Sequence, residues 1–477
     1  MNGIGAKLRY FGSVYTAPMN AAAHDAKDED ESLPAPLTSA IDEPRPDERH
    51  NFLTLVVYNV LMRTGWIFKT ESSIMPAVLD SFELLGTPKW ALAWMRGALP
   101  LLNRFGQSVP PLMMARRIKI MPRKKWAFVA TTSSMTLIFA VLTAIWLVPG
   151  LVKPQTGIVT WLIPLAYLIL YAAFFMAVGI NQLTYNTIQG KLIRVTHRGR
   201  LLMIADSIGA TSAVLCALTL LPQWLREDDA DFHWIFGFST LLFGISSLTA
   251  WVLREQPDSH EQAPQPLWKP FVTAWRTLQE DANFRRLGLV AALFSTSLVL
   301  FPHYQALARE NLHLGFDYLV WWVVAQNIGT GLFSILTGPL ADRFGNRLSL
   351  RILTLLIAAA PQLAIILVQI PQTGGLAFAM VFLLVGMTPV AQKTFNNYTL
   401  EIARPADHPR YLSTLNLCMA APIFLSPLIG GLIGLIGFPP VYHGITALLL
   451  AGALISTTLQ EPRERLKTVI TPGDESL

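Results

Sequence analysis

From residue 52 onward the chain alternates between long apolar runs and short polar breaks. Twelve apolar runs are legible, over 52–82, 88–115, 126–149, 157–190, 200–222, 233–253, 287–309, 316–341, 348–370, 375–402, 411–436 and 438–459. A helix needs about 20 residues to cross the hydrocarbon core of a bilayer, so each run suits one crossing. In lipid such a run satisfies its backbone amides and carbonyls only as a helix. The pattern therefore predicts an all-α integral membrane fold with 12 transmembrane helices. The runs 52–82 and 157–190 exceed one span and are expected to project past the bilayer.

The polar stretches divide the chain. Residues 1–50 hold nine acids against five bases and are broken by prolines. They bury too little apolar area to offset ordering, which predicts a disordered tail. Such a tail is either a solvated leader or a regulatory, partner-binding segment. Residues 1–20 lack a continuous apolar core, so no cleavable signal peptide is read there. A second polar stretch, 254–286, separates one six-span half (51–253) from another (287–460), and a short tail, 461–477, closes the chain. Within that linker Trp268, Phe271, Val272, Trp275 and Leu278 share one helical face, the spacing of an amphipathic helix lying in a membrane interface.

Composition agrees with the pattern. Hydrophobic residues are 52% of the chain and charged residues 14%, against about 25% charged in soluble domains. A net charge of +6 raises the question of nucleic acid, but the distribution answers it. With the N-terminus inside, the inner loops and C-terminal tail carry 23 Lys and Arg and the outer loops four. That imbalance orients a membrane protein and places both termini in the cytoplasm. No nucleic-acid partner is expected, and the lipid bilayer is. Two cysteines, Cys216 and Cys418, lie in apolar runs, which argues against a disulfide framework or a cysteine metal site. No cofactor or metal is expected.

The halves echo each other. Asn181-Gln182-Leu183-Thr184-Tyr185-Asn186 ends the fourth run, and Gln392-Lys393-Thr394-Phe395-Asn396-Asn397 ends the tenth. An offset of 211 aligns Asn186 with Asn397 and His197 with His408. Ala115-Arg116-Arg117 likewise echoes Ala341-Asp342-Arg343. Six spans repeated in the same orientation is a transporter plan.

Between the eighth and ninth runs, Gly338-Pro339-Leu340-Ala341-Asp342-Arg343-Phe344-Gly345-Asn346-Arg347 resembles the G-x-L-A-D-R-x-G-x-R signature of the major facilitator superfamily. Arg198-Gly199-Arg200 resembles that family's loop between spans four and five. The resemblance covers residues 50 to 460. It implies two six-helix halves around one central site and transport by alternating access. It also implies a gating role for Gly338, Asp342, Arg343, Gly345 and Arg347. The first copy of the signature has Arg116 where the family carries Asp. Span five lacks the Gly-Pro motif of the family's drug–proton antiporters, and span eleven holds a partial echo, Ser426-Pro427-Leu428-Ile429-Gly430-Gly431.

Charges at membrane depth are costly and need a partner, a wet cavity or a function. Arg63, Lys69, Arg96, Arg104 and Lys393 outnumber Glu71 and Asp206. In the resembled family, spans one, four, seven and ten line the cavity, with help from two and eight. Arg63, Glu71, Arg104, Gln182, Asn186 and His303 are then candidate solute contacts, with Gln326, Asn327, Lys393 and Asn397 opposite. A structural ion pair or helix-to-helix hydrogen bond is the alternative for each. The surplus of bases points to an anionic or acidic small molecule, with Glu71 or Asp206 available to a coupling proton. No His-x-x-x-His or Asp pair occurs at membrane depth, so an embedded enzyme is not expected. A drug or metabolite exporter, or a receptor or scaffold that has lost transport, remains the rival. The expected location is a bacterial inner (plasma) membrane.

Overall fold

The computed structural model describes residues 45–148, 157–227, 230–257, 269–370, 374–404 and 407–461. The expected disordered tail, apart from its last residues, falls outside them, as do Trp268 and the segment after 461.

The described chain is helical. Ten helices are long and apolar enough to cross a membrane, and each coincides with one of the expected runs from the third onward. The first two runs are helical too. Span one is Glu48–Ile67 continued by Ile74–Ser81, and span two is Lys89–Ile120. These two carry Lys69, Glu71, Arg96 and Arg104, whose partners are described below.

Spans three to six are Lys125–Leu147, Val159–Leu192, Val195–Trp224 and Phe232–Val252. Span one packs on spans five and six, span two on four, and span three on four and six. Their core is aromatic: Phe139 lies edge-on to Phe174, Phe236 and Phe243, with ring centroids 4.9, 5.8 and 5.2 Å away.

After the short helix Lys269–Glu280, span seven is Ala282–Val299 and Phe301–Leu312, and span eight is Tyr318–Phe344. Span nine is Asn346–Ile357 and Ala359–Gln369, and span ten is Gly375–Val385 and Thr388–Ile402. Span eleven is His408–Ala420 and Ser426–Ile436, joined by a 3₁₀ turn at Ala421–Leu425, and span twelve is Phe438–Ser456. The breaks in spans seven, ten and eleven coincide with Pro302, Pro389, Pro422 and Pro427, each at the start of the following segment. Proline lacks the N–H that would continue the ladder, so the helix restarts there.

Two faces can be named from the chain path. The proximal face holds the start of span one and the end of span twelve; the distal face is opposite. At the proximal face the repeat is written in hydrogen bonds. Asn51 brackets Arg254 through that residue's amide and carbonyl, both at 2.9 Å. Asn283 accepts from the amide of Gln460 at 3.0 Å. The next residues, Glu255 and Glu461, are both buried and reach toward the starts of spans three and nine. Glu255 accepts from the Lys125 amide at 2.7 Å and pairs with Lys191 at 2.8 Å. Glu461 pairs with Arg347 at 3.0 Å.

The linker helix packs Ala274 and Thr277 inward and exposes Phe271, Val272 and Trp275. Leu278, expected on the same face, instead lies against Gly288.

Candidate functional site

Between the halves, at mid-depth, lies a cavity of about 190 Å³. Span two gives it Leu99, Pro100, Asn103, Arg104 and Gln107, a set spaced to share one helical face. Glu71 and Tyr171 close the same side, and Leu298, Phe301, Pro302, Gln392 and Ile423 form the other. The breaks in spans seven and eleven therefore sit in its wall, where irregular backbone at membrane depth is tolerated.

The charges around it are organised. Lys69, in the break of span one, is fully buried. Its ammonium lies 3.3 Å from the ring centroid of Trp66 and 4.3 Å from that of Phe175, within the range of cation–π attraction. It also pairs with Glu71 at 2.7 Å. The second Glu71 oxygen accepts from Asn103, which in turn accepts from Gln107. Arg104 differs. One guanidinium nitrogen donates to the Asn416 carbonyl of span eleven at 2.8 Å, and its Nε is buried with no partner. No carboxylate pairs with it among the described residues.

The distal side of the cavity is clasped. Arg96 of span two pairs with Asp80 of span one at 2.8 Å and with Glu310 of span seven at 3.2 Å. Gln305 donates to the other Asp80 oxygen at 2.6 Å. Phe316 donates its amide to the Glu227 carbonyl at 3.2 Å, and its ring meets Phe232 edge-on at 5.8 Å. Nearby, Gly97 and Gly430 bring spans two and eleven into backbone contact. Deeper in, Ser72 donates to Gln326 across the halves.

Of the expected contacts, Glu71 and Arg104 line the cavity, and Gln326 accepts from Ser72 across the halves. Arg63 is exposed, its side chain against Gly209 of span five. Gln182 and Asn186 are exposed and bonded to each other at 3.0 Å. Lys393 and Asn397 are exposed one turn apart on span ten. Asn327 donates back to its own helix at Val323, 2.8 Å away. His303 is fully buried and both its ring nitrogens lack a partner. The expected surplus of bases is smaller than the sequence suggests: Lys69 and Arg96 are paired, and Asp80 and Glu310, at span ends, enter the account.

In the signature, Gly338 is exposed with open space around it and Arg343 is exposed. Gly345 adopts φ +87°, and Arg347 holds Glu461. The Asp342 side chain falls outside the described residues.

Sequence reasoning missed Asn103, Gln107 and Gln392 in the cavity, and Asp80, Gln305 and Glu310 in the clasp. Spacing offered one signal: Asn103 and Gln107 stand one turn apart on the face that also carries Arg104. A larger open recess of about 1040 Å³ lies at the proximal face between the starts of spans one and five. It belongs to one half alone, and its Glu48 is held by Arg194 and His197 at 2.8 and 3.0 Å.

Residues 300–475 match the sequence profile described as Major Facilitator Superfamily. No curated protein matches the chain in sequence. Among solved structures, a D-xylose–proton symporter is similar with a TM-score of 0.64 at 12% identity, over 86% of this chain and 98% of that one. The nucleoside transporter NupG gives 0.59 at 12%, over 86% and 98%. A bacterial homologue of the human lysosomal transporter Spinster, inward-facing and unoccupied, gives 0.56 at 15%, over 90% and 100%. In sequence, residues 300–475 thus match the major facilitator superfamily, and across both halves the chain shares the fold of solved transporters.

Proposed function

We propose that this protein is a secondary active transporter that moves a small anionic or acidic solute by alternating access, coupled to a proton or another ion. One observation carries the charge reading. Arg104, on the cavity wall, has no carboxylate partner among the described residues, while Lys69 and Arg96 do. In a low-dielectric cavity an unpaired guanidinium or ammonium attracts an anion strongly. The distal clasp and the repeat of six spans support rocking of the halves around the cavity. The similar structures are of solute carriers, one of them a proton symporter. Glu71, partly exposed beside Lys69, is suited to a coupling proton.

The distribution of Lys and Arg supports a cytoplasmic proximal face, so the distal closure corresponds to a state open inward. Uptake into vesicles reconstituted with the full chain tests the reading, using matched anionic, neutral and cationic solutes. Anion uptake that falls in Arg104→Gln is expected. Efficient transport of a cation, unchanged in that variant, overturns it.

A further inference from the structure

Taking the inter-half cavity as the solute site, as proposed above, we infer that it accepts a monoanion with an apolar body of about one ring: a small aromatic or branched monocarboxylate. Charge sets the first limit. Lys69 and Glu71 neutralise each other at 2.7 Å, which leaves Arg104 as the one cation in excess on the cavity wall. Its buried Nε lacks an acceptor, and a buried donor without a partner is unfavourable. A carboxylate supplies that acceptor and the balancing charge together.

The other ligand classes meet obstacles. A second carboxylate on the ligand would face Leu298, Phe301 and Pro302 and be desolvated without a partner. The ammonium of a zwitterion would need Glu71, whose two oxygens already accept from Lys69 and Asn103. A sugar or nucleoside would bring many hydroxyls against Leu298, Phe301, Pro302 and Ile423, with Gln392 as the single polar partner on that side. Size sets the second limit. An apolar cavity of about 150 Å³ holds benzene, so a cavity of about 190 Å³ holds one ring and a carboxylate.

The experiment is thermal unfolding and direct binding of the purified full-length protein with benzoate, benzamide, phthalate and phenylalanine. Benzoate is expected to raise the melting temperature, and the neutral, dianionic and zwitterionic analogues to do so weakly or not at all. Arg104→Gln should weaken benzoate binding at least about tenfold, the size of a lost charge-assisted hydrogen bond. Leu298→Trp, which fills the cavity and keeps Arg104, should abolish it and serves if Arg104→Gln misfolds. Tighter binding of phthalate or phenylalanine overturns the monocarboxylate inference and leaves an acidic solute standing. Benzoate binding that survives Leu298→Trp puts the anion elsewhere and overturns the inference alone. Equal binding of benzamide, unchanged in Arg104→Gln, overturns both readings, and no response to any of the four overturns the inference.

Discussion

Gly97 of span two and Gly430 of span eleven meet backbone to backbone on the distal side of the cavity. A Cβ at residue 97 would lie 2.6 Å from the Ser426 carbonyl oxygen and 2.9 Å from the Gly430 Cα. Neither neighbour is the end of a flexible side chain, so the helices themselves would have to part. The closed distal face therefore depends on two residues without side chains.

Gly430→Val should consequently disfavour this closure. Overpacking costs about 1–3 kcal/mol, enough to move a two-state balance by about 5- to 150-fold. Transport should fall while the folded protein persists. A cysteine introduced at the buried Ala306, in a background without Cys216 and Cys418, should become more reactive from the distal side. Unchanged reactivity would mean that the two helices separate without consequence.

The ion pairs of the clasp should be unequal. The side chains of Arg96 and Asp80 are 5% and 13% exposed, and that of Glu310 is 40% exposed. Arg96→Gln strands a buried carboxylate, a loss of about 3–5 kcal/mol when one member of a buried pair is removed. Glu310→Gln removes a half-exposed partner and should cost under about 1 kcal/mol. Thermal unfolding of the two variants ranks them, and a reversed order would contradict the assignment.

Much of the fold was legible because lipid imposes a simple rule: long apolar runs are helices. The site was legible only where charge at membrane depth made residues expensive, as for Glu71 and Arg104. Asn103, Gln107 and Gln392 carry no such signal, since neutral amides are common between helices. Arg96 looked unpaired because Asp80 and Glu310 stand near span ends, where a carboxylate reads as a loop charge. Depth alone singles out His303, and depth does not say which face of a helix a residue takes. The repeat of Arg254-Glu255 and Gln460-Glu461 is illegible in sequence because two residues are too few to stand out before the fold stacks them.

The signature loop offers a separable test. Gly345 holds φ +87°, and a Cβ there would sit 2.8 Å from Glu461 Oε1. Gly345→Ala should lose about 1–3 kcal/mol from a backbone conformation open essentially to glycine alone, seen as a lower melting temperature. Asp342→Asn keeps the backbone and should lower transport with expression intact. Wild-type rates in Asp342→Asn would reduce the signature to a turn.

Topology can be checked directly. Reporter fusions at Lys89 and Arg226 should read outside, and fusions at Arg123 and Arg198 inside. Arg123 lies in a loop with six bases over 116–125, so an outside reading there would contradict the orientation taken from Lys and Arg.

Lys69 and Glu71 should behave as one unit rather than two residues. Lys69 is fully buried among Trp66, Phe174 and Phe175, and Glu71 is its one ion-pair partner among the described residues. Glu71→Gln leaves an ammonium buried without its counter-charge, which costs about 3–5 kcal/mol in comparable pairs. Lys69→Met leaves Glu71 with Asn103 and partial access to the cavity, a smaller loss. The double variant Lys69→Met/Glu71→Gln removes both charges and keeps the volume, so it should be more stable than Glu71→Gln alone. Thermal unfolding of the four proteins gives the coupling energy. Near-additive losses would mean that the aromatic rings, and not the carboxylate, hold the ammonium in place. If the pair also serves proton coupling, the double variant should bind solute yet fail to accumulate it against a gradient, which counterflow and uptake assays on the same vesicles distinguish.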